Sequence, residues 1–222
     1  MKIRHLELNE NMESGQSFVT ASARVIFEDC DQPEKTVFIR TPKEQARGFH
    51  ANGDAFLTGC LVPAIHFREK RISIEGQVCP LLKEGLSVVM GLFSHWYKDR
   101  FPPIVIEADS RRAQPVNGPF RAGMVMSGGM DSLAALRLNQ LHYPQAHPAR
   151  VKDCFFLHGF DIGGVRERGL KYHVYDRAIG AISKVTRDAG TELVPVYTNI
   201  RHLCDERQLW LSAFYASVLA AM

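Results

Sequence analysis

Ser127-Gly128-Gly129-Met130-Asp131-Ser132 brings two hydroxyls, two adjacent glycines and a carboxylate into one short stretch, a composition suited to holding phosphate. Paired glycines take backbone conformations closed to other residues and let an anion approach the amides with no Cβ in the way. A helix beginning at Asp131 leaves its first N–H groups without intrahelical acceptors, and the positive end of the helix dipole adds to their pull on an anion. Ser127 and Ser132 supply hydroxyl donors. Asp131 would repel a bound phosphate unless a cation lies between them or its side chain caps backbone amides. Magnesium is therefore expected together with a nucleotide, with Asp131 as its ligand.

Positioning such a loop requires a strand before it and a helix after it. Met124, Val125 and Met126 read as a short buried strand, and the helix from Asp131 to Leu141 places Leu133, Leu136 and Leu141 on one broad side. Strand, glycine loop and helix N-terminus thus follow one another directly.

The six residues resemble the SGGxDS signature of the PP-loop ATP pyrophosphatases, within the adenine nucleotide alpha hydrolase-like superfamily, whose members include asparagine synthetase and 7-cyano-7-deazaguanine synthase. They do not fit the Walker loop, which needs a longer glycine span ending in Lys-Ser/Thr. The resemblance covers roughly residues 120–222. It implies that Ser127, Gly128, Gly129, Met130, Asp131 and Ser132 hold the β,γ-phosphates of ATP, which leave as pyrophosphate when a substrate carbonyl or carboxylate oxygen is adenylylated. The chain would then be an AMP-forming ligase or synthetase using ATP and Mg2+ on a small-molecule substrate. The alternative reading is a non-catalytic adenine-nucleotide-binding sensor or assembly subunit. Asparagine synthetase begins its glutaminase domain with a cysteine after the initiator methionine; Lys2 stands at that position here, which argues against such a domain.

Further along, Cys154-Phe-Phe-Leu157 is a continuous apolar run, as expected of a parallel strand covered on both sides, and His158-Gly159-Phe160-Asp161 follows at its C-terminal end. Ligands of open α/β sheets sit at that end. The resemblance makes His158 and Gly159 candidates for the adenine and Asp161 for ribose or substrate, while His158 equally fits a buried strand-end histidine. Tyr175 to Ala189 reads as a helix with Ala178, Ile179, Ile182 and Val185 inward. Glu192 to Tyr197 reads as a strand in which Pro195 argues for an edge or a bulge. Beyond it, Asn199 and Arg201 could contact substrate or phosphate, or merely cap the next segment. The repeated strand-helix order predicts an α/β fold with a doubly wound parallel sheet, of the HUP type that the resemblance implies.

The first half reads as a small α+β domain over 1–110. It carries strands over 18–27 and 36–40, a helix over 52–67, a strand over 71–75, a helix over 81–97 and a strand at 104–106. Residues 9–16 look polar and turn-like. Residues 111–118 make a linker, with Arg111 and Arg112 read as solvated, and the nucleotide-binding domain occupies 119–222. His50, His66 and His95 are unclustered and read as structural; Asp99, Glu107 and Asp109 lack a sequence partner that would make an acid/base pair.

A chain of 222 residues with 45% apolar composition can bury a real core, and its net charge of +3 gives no case for a dedicated nucleic-acid surface. Five scattered cysteines without a CxxC pair support neither a disulfide framework nor a zinc site, and argue against a tRNA-thiolating enzyme. The polar start and the lack of a long apolar run point to a cytoplasmic protein without a membrane span. Residues 208–222 form a strongly apolar helix with no closing glycine or polar tail. This suggests either a chain truncated within its nucleotide domain or a helix that packs in a subunit interface.

Overall fold

The computed structural model describes residues 1–13, 15–98, 100–111 and 121–222. Three antiparallel strands open the chain: β1 (Lys2–Glu13), β2 (Gln16–Ile26) and β3 (Lys35–Pro42). The β2–β3 hairpin follows the apolar alternation in the sequence. In β1 only Ile3 is buried, so most of the strand carries no apolar alternation and its outer part reads as a polar turn. Its register with β2 shifts between Arg4 and Glu7, where His5 adopts φ +53°. Helix α1 (Gly53–His66) leads to β4 (Arg71–Val78), which runs parallel to β1; α2 (Pro80–Trp96) leads to β5 (Val105–Ser110), parallel to β4.

The second half is a strand-helix series: β6 (Ala122–Val125), α3 (Met130–His142), β7 (Val151–His158), α4 (Tyr172–Asp188) and β8 (Glu192–Thr198), with all three strands parallel. β8 also pairs antiparallel with β3, through Ile39↔Thr198 and Arg40↔Tyr197. The protein is therefore α/β with one eight-stranded mixed sheet in the order β5-β4-β1-β2-β3-β8-β7-β6. This corrects the expectation of a wholly parallel sheet following a separate set of strands: the antiparallel seam joins the two halves. Of the expected linker, only Arg111 lies within the described residues, and it is no solvated linker residue. Its guanidinium is paired with Asp54 and bonded to Asn52 Oδ1 at 3.3 Å.

Helices cover both faces of the sheet. Consecutive strand residues point to opposite sides, and on β7 Phe156 packs with Tyr175 of α4 while Leu157 joins the large core containing α1. Met126 and Leu136 form a smaller cluster with Cys154 under α3. α1 is buried from Phe56 to Ile65 rather than along one stripe, because the sheet and the C-terminal helices both press on it. Pro63 falls in its last turn, where Phe67 N still bonds the Pro63 carbonyl at 3.0 Å, so the helix is not stopped. In α4, Ala178, Ile179 and Ile182 pack inward against the sheet as expected, with Tyr175 and Thr186 buried beside them; Val185 alone departs from the stripe, at 41% exposure. Pro195 lies inside the sheet, but the β3 ladder reaches only Thr198 and Tyr197; at Pro195 that side is a local edge, and Thr41 Oγ1 donates to its carbonyl at 2.9 Å.

The C-terminal run consists of α5 (Arg207–Leu209), a π-helical turn over Trp210–Phe214 and α6 (Tyr215–Ala221). Its apolar residues Leu209, Trp210, Phe214 and Val218 are buried in the chain's own core with α1, while Leu211 is 70% exposed. Among the described residues no helix is long and apolar enough to cross a membrane.

Candidate functional site

The Ser127–Ser132 segment folds as its composition requires. Met126 N donates to Phe155 O at 2.8 Å, so the β6–β7 ladder runs to the mouth of the loop. Gly128 then turns with φ +75°, a left-handed conformation that L side chains rarely adopt, and a Cβ there would come 3.1 Å from Ile182 Cδ1. Gly129 is the N-cap of α3, and Leu133 N returns to its carbonyl at 3.1 Å. Met126 at 1% exposure and Leu136 at 3% anchor the strand and the helix beneath, leaving residues 127–131 exposed.

Within the loop the polar groups bond to one another. Ser127 Oγ donates to Ser132 Oγ at 3.1 Å, Ser132 Oγ to Gly129 O at 2.9 Å, and Gly129 N to Ser127 Oγ at 3.2 Å. Among the described residues, the amides of Met130, Asp131 and Ser132 have no acceptor. Met130 offers only its backbone, since its side chain is 83% exposed. Asp131 stands in the first turn, exposed and in no ion pair among the described residues. A carboxylate, two hydroxyls and unpartnered first-turn amides therefore share one surface.

Beside the loop, between the C-terminal ends of β6 and β7, lies a cleft of about 170 Å³ lined by Ser127, Phe156, Phe160, Asp161, Ile182 and Tyr215 among others. Ser127 and Asp161, far apart in sequence, are thus brought to one opening. The floor is apolar and the rim polar.

The remaining sequence candidates shape this opening from behind. Gly159 has φ +98°, and a Cβ there would lie 1.9 Å from Thr198 O, so its backbone presses directly on the end of β8. Its amide is committed to Ile162 O at 2.8 Å. His158 is 2% exposed, stacks on Tyr172 at 4.7 Å and donates from Nε2 to Leu170 O at 2.6 Å. Burial pushes its pKa below the ordinary value of 6.5, and it is the buried strand-end histidine. Asn199 accepts from Phe38 N and donates to Thr36 O, both at 2.9 Å, locking β3 to β8, which is a structural role for its carboxamide. Arg201, 4% exposed, lies 4.2 Å from the Trp210 ring centroid and donates from Nη1 to Phe160 O at 2.6 Å. Its Nε sits 3.4 Å from Asp205 Oδ1, at an angle that leaves the N–H unsatisfied. Arg201 thus braces the loop carrying Phe160 and Asp161 and does not face Ser127–Ser132. Sequence reasoning missed Phe160, Ile182 and Tyr215, because apolar residues in a cleft carry no local signal distinguishing them from core.

Set beside family models, curated proteins and solved structures, the chain shows no match.

Proposed function

We propose that this protein is an ATP-dependent, AMP-forming ligase of the PP-loop type, with Ser127–Ser132 as its pyrophosphate cradle. The observation that carries the reading is the unpartnered amides of Met130, Asp131 and Ser132, exposed behind a left-handed glycine and beside a cleft at the strand ends. These amides, together with the Ser127 and Ser132 hydroxyls released from each other, suit the oxygens of a β,γ-diphosphate. Asp131 would hold Mg2+ between its carboxylate and the phosphates, which removes the repulsion it otherwise exerts. The cleft, at about 170 Å³, is below the roughly 300 Å³ of pockets that enclose a whole ligand. It has room for one ring system such as adenine against Phe156 and Phe160, with Asp161 at the rim near the ribose.

Bound ATP supplies an electrophilic α-phosphorus and pyrophosphate as leaving group, so that a substrate carbonyl or carboxylate oxygen becomes an adenylate open to a second nucleophile. The chain's task is positioning and charge neutralisation, and no side-chain base is required.

Exchange of radiolabelled pyrophosphate into ATP, with small carboxylates and amides screened as substrates, tests the reading. Magnesium-dependent exchange that falls at least about tenfold in Ser127→Ala and Asp131→Asn is expected. ATP binding by calorimetry without exchange on any substrate would favour the nucleotide sensor; neither binding nor exchange would reject both.

A further inference from the structure

On the other side of Arg201 the fold assembles a cluster that no sequence spacing announces. α1 ends at His66, and the short turn after β8 delivers Cys204 and Glu206 beside it. One ligand atom from each residue, the imidazole nitrogen, the thiol sulfur and a carboxylate oxygen, lies within 4.8 Å of the other two. His66 Nε2 is 3.3 Å from Glu206 Oε2. The three face a concavity of about 720 Å³ that Lys35, Arg166 and His202 also line.

We propose that His66, Cys204 and Glu206 bind a zinc ion with one coordination position open to this concavity. The donor set is what selects the metal. A thiolate with an imidazole disfavours magnesium and calcium, which take oxygen ligands, and suits Zn2+, which accepts sulfur, nitrogen and carboxylate oxygen together in a tetrahedron. Tetrahedral zinc with bonds of about 2.0 to 2.3 Å separates its ligand atoms by roughly 3.3 to 3.6 Å. The His66–Glu206 distance already falls at that value, and a side-chain adjustment near 1 Å closes the rest.

The surroundings hold the ligands without consuming them. The His66 ring packs edge-on against Phe67 at 4.9 Å, which fixes its plane. Cys204 is 6% exposed and sits at the floor, while Glu206, with 43% of its side chain exposed, closes from the solvent side. Lys35 is tied to the carbonyls of His202 and Leu203 at 2.6 and 3.5 Å, so its ammonium stays beside the thiol without capping it. On binding, the thiol proton passes to solvent and sulfur donates a lone pair to the metal; His66 donates from unprotonated Nε2 and Glu206 from its carboxylate. Three protein ligands leave the fourth position for water or a heteroatom of a small molecule entering the concavity, as in open zinc sites. This inference does not rest on the nucleotide reading of Ser127–Ser132.

The test is titration of the metal-free full chain with Co2+, whose thiolate complexes give a strong near-ultraviolet charge-transfer band, followed by displacement with Zn2+. The expected result is a one-to-one complex with that band, lost in Cys204→Ser and retained in Cys79→Ser. His66→Gln and Glu206→Gln should each weaken binding at least about tenfold. The Glu206 variant changes a half-exposed side chain, so it remains informative if Cys204→Ser misfolds. Absence of the charge-transfer band in the folded wild type, or affinity unchanged in both the His66 and Glu206 variants, would overturn the proposal and leave a simple His66–Glu206 ion pair.

Discussion

Arg201 Nη1 reaches the carbonyl oxygen of Phe160 at 2.6 Å, and this bond joins the end of β8 to the loop that follows β7. The loop after β7 lines the cleft beside Ser127 through Phe160, Asp161 and Ile162, so a buried guanidinium from outside the cleft, and no residue of Ser127–Ser132, braces one cleft wall. Replacing Arg201 with Met keeps much of its apolar contact with Trp210 and removes the bond. We expect a loss of about 2 to 3 kcal/mol in urea unfolding, the usual cost of deleting a charged donor from a buried acceptor. A loss below about 0.5 kcal/mol would show that the loop is held by other contacts.

Gly159→Ala should be more damaging than its size suggests. The substitution adds strain at φ +98° and drives a methyl group to within 1.9 Å of Thr198 O, which is backbone and cannot swing away. The expected cost is at least about 3 kcal/mol, seen as a drop in the thermal midpoint. A near-neutral result would mean that the two strand ends separate easily.

These two residues mark the limit of what the sequence discloses. The Ser127–Ser132 turn was legible because glycine pairs, hydroxyls and a following apolar helix are local signals, and β7, α4 and β8 were legible as apolar runs with stops between them. The seam Ile39↔Thr198 was not, since nothing in a strand's own alternation names a partner more than 150 positions away. Distance along the chain likewise hid the grouping of His66 with Cys204 and Glu206, which reads as scattered residues until α1 and the β8 turn are packed together. Arg201 and Asn199 at a strand end invite a ligand reading; that their polar atoms go to Phe160, Phe38 and Thr36 is a fact of tertiary packing alone.

Acid should weaken the N-terminal half through Glu28. Burial opposes its ionisation, but Arg71 and Lys2 outweigh it, with Lys2 Nζ at 2.7 Å and Arg71 Nη2 at 2.9 Å, and its pKa falls from 4.5 to about 2. A depressed folded-state pKa contributes stability above 4.5, which is lost as pH falls from there toward 2. Urea midpoints of wild type and Glu28→Gln should therefore differ at pH near neutrality and converge through that window. A gap independent of pH would contradict the assignment.

His158 gives a second pH signature, higher on the scale. Its folded-state pKa lies below 6.5, so the unfolded chain binds the extra proton first and stability declines as pH drops through 6.5. In His158→Phe that part of the slope should vanish, giving a flatter stability curve between pH 7 and 5 by chemical denaturation. An unchanged slope would assign the proton uptake to other histidines.

The proposed function requires polyphosphate to rest on the amides at the start of α3, and backbone amide NMR reads those groups individually. On titrating the labelled protein with magnesium pyrophosphate, the largest and saturable shifts should fall on Gly128, Gly129, Met130, Asp131 and Ser132, and Asp131→Asn should weaken them. Shifts centred elsewhere, or none at millimolar pyrophosphate, would contradict it.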